Sequence, residues 1–197
     1  PESIKKDLHN VDPETLYQQI KWLKKYFDIV SVDSLFDQHS NKVGKLAITF
    51  DDAYDSVFLE AIPVLETLSV PCTIYINGAT ITKKPFWRDK VRYLINCNLV
   101  EDFMRFNQDF CKEKNITKSN FYFQTKNAQC NSKQIDILLD KYYEEKQISI
   151  DKMKFILSDK GKLQKHPLIS YGNHTCNHYV LSSLSKEEQE IEISENQ

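Results

Sequence analysis

Apolar and polar positions along the first part of the chain follow two periods, one typical of helices and one of buried strands. Leu16, Ile20 and Leu23 recur at helical spacing behind a start signal, in which Asp12 is the expected N-cap and Pro13 the first helical residue. Unbroken apolar runs rich in β-branched residues predict buried strands. The predicted elements are helices over 13–26 and from about 56 to 68, and strands over 28–32, 45–50 and 70–77.

The order of these elements predicts the kind of sheet that they form. A strand, a helix and a second strand within about 30 residues make a βαβ unit, which implies a parallel sheet. Pro63 falls inside the second helical pattern, so we expect it to kink or restart that helix.

The region from about residue 85 to residue 165 departs from this alternation. Helical spacing predicts helices over 88–96, 100–111, 132–145 and 151–159. We interpret the region as a mostly helical insertion between strands, although a separate small helical domain fits the sequence as well. An apolar run at 166–171 predicts a return to strand, and Ser185 begins a capping box for a final helix.

Composition narrows the classes of function that are open to the chain. Its 197 residues, 41% of them apolar, can form one sizeable domain or two small ones. A net charge of −2 gives no reason to expect a nucleic-acid partner, and no apolar run is long enough to span a membrane. Five scattered cysteines without a C-x-x-C pair look like reduced thiols, and we expect a cytoplasmic protein. Both ends look truncated, so a signal or an anchor could lie outside this sequence.

Two adjacent carboxylates end the central predicted strand. Asp51 and Asp52 follow the apolar run of residues 45–50 directly. Neighbouring acids at the end of a buried strand repel each other and resist desolvation. A chain rarely places such a pair there only to make a turn, and a bound cation or a reaction would explain it. A helix cap is the alternative, because aspartate is a common N-cap.

Two histidines follow the last predicted strand. On a helical turn, the spacing of His174 and His178 would put both imidazoles on one face, where they can chelate a divalent cation. Gly172 and Asn173 suit a tight turn from strand to helix before them. A purely structural role for the pair is the alternative. Because the ends of parallel strands share one edge of a sheet, we expect Asp52 and the histidines to converge there. Two imidazoles and one carboxylate leave metal positions open for water and substrate.

These residues resemble the motifs of a known family. Residues 49–52, Thr-Phe-Asp-Asp, look like the T-F-D-D motif of the polysaccharide deacetylases, the NodB-homology enzymes of carbohydrate esterase family 4. Residues 174–178 look like the H-[ST]-x-x-H motif of that family. The resemblance covers roughly residues 12–84 and 166–190.

The resemblance implies an α/β fold, the N-terminal part of a distorted (β/α) barrel with a mostly helical insertion between strands. Residues 1–84 would form the first part of the barrel, residues 85–165 the insertion, and residues 166–197 a continuation that looks truncated. The function implied is that of a metal-dependent hydrolase, which removes N-acetyl groups from an amino-sugar glycan or its precursor. Such an enzyme cleaves carbon–nitrogen bonds other than peptide bonds.

The resemblance also implies roles for individual residues. Asp52, His174 and His178 would bind a divalent metal ion, usually zinc in this family. Asp51 would be the general base that activates the attacking water, and it would stay ionised beside a cation held by its neighbour. Thr175 would support the histidine turn by hydrogen bonding.

The chain also departs from the family. Ala53 stands where the family has glycine, a mild change if the position does not need a positive φ. The family's later segments cannot be placed after His178: an Arg-containing segment, an Asp-Trp segment, and a Leu-x-His segment that supplies the general acid. The site could therefore be incomplete in this chain. A non-catalytic metal- and glycan-binding homologue is one alternative function, and another metal-dependent hydrolase, such as a phosphoesterase, is a second.

The segment Pro-Phe-Trp-Arg-Asp opens the predicted insertion. Trp87, Arg88 and Asp89 could line a sugar site, because aromatic faces stack on sugar rings; for Trp87, a packing anchor is the alternative. We expect His166, just before the last predicted strand, to be structural or exposed.

Overall fold

The structure of the protein is a computed structural model that describes residues 11–37, 41, 43–82, 84–149 and 160–196. The α-helices are α1 (Pro13–Leu23), α2 (Val32–Phe36), α3 (Ile62–Leu68), α4 (Gly78–Ile81), α5 (Trp87–Asn96), α6 (Val100–Phe106), α7 (Gln108–Glu113), α8 (Phe121–Thr125), α9 (Ser132–Glu145) and α10 (Lys186–Ser194). The strands are β1 (Asp28–Ile29), β2 (Lys45–Leu46), β3 (Ile48–Phe50), β4 (Cys72–Ile76) and β5 (Ile169–Asn173). The fold is mixed α/β. The helix predicted over 151–159 lies outside the described residues.

Two small parallel sheets carry the described strands. β1 pairs with β2, while β3, β4 and β5 form a second sheet in which β4 is central. The predicted parallel βαβ unit is confirmed by β3, α3 and β4. The predicted strand over 45–50 is interrupted at Ala47, because its first residues pair with β1 and its last three pair with β4. Within the described residues the strands do not close into a barrel, and the barrel implied by the family resemblance stays a prediction.

A hydrophobic core packs against the three-stranded sheet. Ile20 of α1, Leu65 of α3 and Ile74 of β4 are almost completely buried in it. Fully burying one such side chain stabilises the fold by about 1.5–3 kcal/mol. Helix α1 begins as predicted, since Asp12 accepts a hydrogen bond from the Thr15 amide at 2.9 Å. It ends at Leu23, earlier than the predicted Tyr26, and the chain then turns towards β1.

Pro63 restarts a helix, as predicted. A π-helical turn over Val57–Ala61 runs directly into α3, and Pro63 occupies the first turn of that α-helix. Proline has no amide hydrogen to donate to an earlier carbonyl, and the first turn of a helix is where this loss costs least.

The predicted helical region is helical within the described residues. Helices α5 and α9 pack together, and the ammonium of the buried Lys90 contacts the carboxylates of Asp136 at 2.7 Å and Asp140 at 2.5 Å. The charge of this lysine is therefore compensated inside the helical layer. The single helix predicted over 100–111 is in fact two helices, α6 and α7, because the backbone leaves helical geometry at Asn107.

The chain divides into two compact units. One unit takes in the described residues 84–149 and 175–196, and it is helical. The other takes in the described residues 11–37, 41, 43–82 and 160–174, and it holds both sheets. None of the described helices is long and apolar enough to cross a membrane.

Gly172 is not the turn residue that the sequence predicts. It lies inside β5, directly opposite Tyr75 of β4. A Cβ atom on Gly172 would stand 2.5 Å from the Cδ1 and Cε1 atoms of the Tyr75 ring, closer than real Cβ atoms approach other atoms. The position needs glycine because the neighbouring ring lies against its backbone.

We expect Gly172→Ala to lower the free energy of unfolding by about 1–3 kcal/mol, because the added methyl group overpacks the site against Tyr75. Urea denaturation measures the change. In a Tyr75→Ala background, the same substitution should cost clearly less, since the two positions are in contact. An equal cost in both backgrounds would contradict the proposed clash.

Candidate metal centre

The parallel sheet brings two predicted site residues together. β3 and β5 flank β4 and run in the same direction, so their carboxyl ends lie at one edge of the sheet. Asp51 and Asp52 follow β3, and His174 follows β5. The amide of His174 donates a hydrogen bond to the Ile76 carbonyl at 2.9 Å, which continues the strand ladder by one residue. The predicted convergence of Asp52 and His174 is confirmed, since Nε2 of His174 lies 3.5 Å from Oδ1 of Asp52.

The separation of these two side chains suits two ligands of one ion. Zinc binds histidine nitrogen and carboxylate oxygen at about 2.0–2.2 Å, so two ligand atoms on a tetrahedral ion stand about 3.4 Å apart. The observed 3.5 Å matches that spacing and exceeds the usual 2.7–3.2 Å of an N–H···O hydrogen bond. The Asp52 side chain is 16% exposed and that of His174 is 30% exposed, so both are shielded and still reachable.

His178 is held by the first residues of α5. Its ring stacks on Phe86 with the ring centroids 4.8 Å apart, and its carbonyl accepts a hydrogen bond from Nε1 of Trp87 at 2.8 Å. Nη1 of Arg88 lies 3.4 Å from Nε2 of the imidazole. Trp87 is completely buried, which contradicts its use as a stacking surface for a sugar and confirms the packing anchor. The segment that opens the helical region therefore supports His178.

The prediction of a helical turn between His174 and His178 is wrong. The intervening residues form no helix, and both Thr175 and His178 have left-handed backbone angles, with φ of 66° and 57°. Helical periodicity therefore does not place the two imidazoles. The backbone ladder beside β4 places His174, and the contacts to α5 place His178.

Left-handed backbone angles cluster in the two loops that carry the predicted ligands. Asp52 and Ala53 have φ of 68° and 52°, so these loops hold four of the eight non-glycine residues with positive φ in the described chain. Each such residue costs about 1–2 kcal/mol and persists only where its surroundings enforce the conformation. Ala53 therefore does not meet the condition under which it would be a mild replacement of glycine, since its φ is positive. It is completely buried in the core, which holds it in place.

Glu192 is a supporting residue that the sequence does not reveal. It lies on α10 and is almost fully buried, and its carboxylate accepts hydrogen bonds from both the backbone amide and the side-chain amide of Asn177, at 2.8 and 2.7 Å. Its carbonyl also accepts from the Cys176 amide at 2.8 Å. In the sequence Glu192 is one of several glutamates in a polar helix, and only the fold brings it to the histidine loop.

Helix α9 forms hydrogen bonds with the residues that follow His178. The Tyr179 hydroxyl donates to Asp136 at 2.8 Å, and the Val180 amide donates to the Ser132 hydroxyl at 2.9 Å. Burial, reinforced by the negative charge of Asp136, raises the pKa of the Tyr179 phenol, so it stays protonated as a hydrogen-bond donor. The residues on both sides of His178 are therefore bonded to surrounding helices.

Asp52 and His174, both of the sheet unit, can each offer one ligand atom to a metal ion. His178 of the helical unit, as the third ligand, stays a prediction. Two imidazole nitrogens and one carboxylate oxygen are a donor set that zinc accepts, so the residues fit the metal that the family resemblance implies. Asp51 is exposed to solvent beside Asp52, and its role as a general base stays a prediction. His166 is structural, as predicted, since Nε2 of its ring contacts Glu66 at 2.9 Å and Nδ1 accepts from the Leu168 amide.

We expect Glu192→Ala to lower the free energy of unfolding by about 1.5–3 kcal/mol, because two donors of Asn177 lose a charged acceptor. Urea denaturation measures this loss. Glu190→Ala is the matched control on the same helix, with an exposed side chain and only a long contact to Lys186. It should change stability by less than about 0.5 kcal/mol. Equal losses in the two variants would show that the Asn177 contacts contribute nothing.

Comparison of the chain with protein-family models, with curated proteins and with solved structures finds no match. Only the residues of this chain therefore bear on its function. Those residues are the carboxylate and imidazole at the sheet edge, the anchored His178, and the strained loops that carry them.

Proposed function

We propose that the chain belongs to a metal-dependent N-deacetylase that acts on an amino-sugar glycan or a glycan precursor. One observation carries the proposal: Asp52 and His174, drawn from two motifs far apart in the sequence, approach to 3.5 Å at the edge of a parallel sheet. Those motifs resemble the two that define the ligand set of polysaccharide deacetylases. Such strand edges are where α/β proteins commonly bind their ligands.

In this proposal Asp52, His174 and His178 hold a divalent ion, and their donor atoms best match zinc. A bound ion of this kind polarises an amide carbonyl and lowers the pKa of a coordinated water. Stacking on Phe86 and the bond from Trp87 fix the plane and the backbone of His178, which limits the reorganisation that binding requires.

Asp51 acts as the general base in the proposed reaction. It adjoins a proposed ligand, yet its side chain is exposed and reachable by water and substrate. Asp51 takes a proton from the attacking water, whose oxygen adds to the acetamide carbon. The carbon–nitrogen bond then breaks, and acetate and a free amine leave. The amine must also receive a proton, for which the family resembled uses a later histidine.

We expect Asp52→Ala to abolish tight zinc binding and Asp51→Asn to keep it, because only Asp52 is assigned to the metal. Asp51→Asn should instead lower acetate release from N-acetylglucosamine oligomers by about 10²–10⁴-fold, the usual contribution of a general base. Metal analysis of the purified full-length protein, zinc-induced thermal stabilisation and acetate release provide the three measurements.

Asp109→Asn is the control for the loss of an exposed carboxylate, since Asp109 lies on α7 in the helical unit. It should keep both zinc binding and acetate release. Full zinc occupancy without acetate release from any N-acetylated glycan would refute the enzyme and leave the non-catalytic glycan-binding homologue. Loss of zinc in Asp51→Asn but not in Asp52→Ala would refute the assigned roles.

A further inference from the structure

A cavity lies within the helical unit, in the region that does not resemble the deacetylase family. Its volume is about 500 Å³, which is within the usual range for small-molecule sites. Apolar side chains contribute much of its lining, and its charged lining residues include Arg92, Glu101 and Lys118. The cavity is large enough for a molecule of the size of a mono- or disaccharide.

Three cationic side chains converge on Tyr122, which lines this cavity. Nη2 of Arg92 donates to the phenol oxygen at 2.6 Å, and its guanidinium carbon lies 4.7 Å from the ring centroid. The Lys126 ammonium lies 3.3 Å from the same oxygen and 4.3 Å from the ring centroid. The positive charge of Arg88 also acts on this phenol. We name Arg88, Arg92, Lys126 and Tyr122 the basic cluster.

The positive charge of the basic cluster is not balanced within the described chain. None of its three cations forms an ion pair with a carboxylate there, whereas Glu101, the acid that lines the cavity, pairs with Lys118 at 2.9 Å. Like charges held together repel one another unless an anion compensates them. Nε of Arg88, a residue that does not line the cavity, is also buried without a hydrogen-bond partner in the described residues.

The phenol oxygen of Tyr122 compensates only part of the positive charge of the basic cluster. Burial acts to raise the pKa of Tyr122, but the hydrogen bond from Lys126 and the charges of the two arginines outweigh it and lower that pKa. One oxygen cannot accept from all the donors that two guanidinium groups and an ammonium present. A group with several anionic oxygens can, and arginine binds phosphate and carboxylate in a two-point geometry that suits it.

An exposed aromatic ring lies beside the basic cluster. Phe123 is 76% exposed and meets Tyr122 edge to face, with the ring centroids 5.8 Å apart. An aromatic face in that position can pack against the apolar face of a sugar ring while the cations hold an attached anion. The cavity therefore offers both an anchor for charge and a surface for a ring.

We propose that the basic cluster and the adjoining cavity bind the anionic group, phosphate or carboxylate, of a small sugar acid or sugar phosphate. None of the candidate metal ligands lines the cavity, so this proposal does not depend on the deacetylase proposal. Arg88 is the one member of the basic cluster that also contacts a candidate metal ligand, His178. The deacetylase experiment reads zinc and acetate, whereas this proposal is tested by ligand binding alone.

Isothermal titration calorimetry on the full chain at low salt tests the proposal with four probes: glucose 6-phosphate, glucuronate, inorganic phosphate and glucose. We expect at least one acidic sugar to bind more tightly than inorganic phosphate, glucose not to bind, and added salt to weaken binding. The tighter of the two acidic sugars identifies the anionic group. Equal binding of glucose and the acidic sugars, or no binding of either acidic sugar, would overturn the proposal.

Variants of the basic cluster separate ligand binding from support of the fold. Lys126→Gln and Arg92→Lys should each weaken binding of the acidic sugar by about tenfold or more, the first through lost charge and the second through the lost fork geometry. Lys141→Gln, an exposed lysine on α9 outside the cavity, removes the same charge and should bind like the parent. If Lys126→Gln binds the acidic sugar like the parent and only its melting temperature is lower, the cations stabilise the fold around Tyr122 and do not bind the ligand.

Discussion

The parallel pairing of β3 and β5 on either side of β4 is the constraint on which the sheet unit and its candidate ligands depend. It fixes which ends of the strands meet, and so it brings a carboxylate and an imidazole from distant parts of the sequence to within 3.5 Å. Where β4 and β5 pair, the missing side chain of Gly172 leaves room for the Tyr75 ring. Core packing then holds the loop after β3 in a backbone conformation that alanine does not favour.

The two histidines of one short motif are positioned by different kinds of interaction. His174 is positioned by the backbone hydrogen bonds of a sheet, and these bonds tolerate changes in most side chains. His178 is placed by specific side chains of the helical unit: a stacked ring, an indole hydrogen bond and the neighbouring contacts of Asn177 with Glu192. A substitution in the helical unit can therefore disturb one candidate ligand while the other keeps its support.

Local rules explain which features could be predicted from the sequence. The Asp12 cap, the restart at Pro63, the parallel βαβ unit and the meeting of Asp52 with His174 all follow from residue type, period and strand direction. The errors share a different origin. The break at Ala47, the non-helical histidine loop, the role of Gly172 and the support from Glu192 depend on partners far away in the sequence. The hydrophobic periodicity of one segment does not reveal which side chain from a distant part of the sequence will pack against it.

The chain has two tryptophans, and each compact unit holds one of them. Trp22 in the sheet unit is 55% exposed, whereas Trp87 in the helical unit is completely buried and bonded to the carbonyl of His178. An indole in water emits at longer wavelength than one enclosed by protein, so the tryptophans of the two units have different emission maxima. Loosening of the helical unit should therefore shift the intrinsic emission to longer wavelength, whereas loosening of the sheet unit, whose indole already meets water, should shift it little.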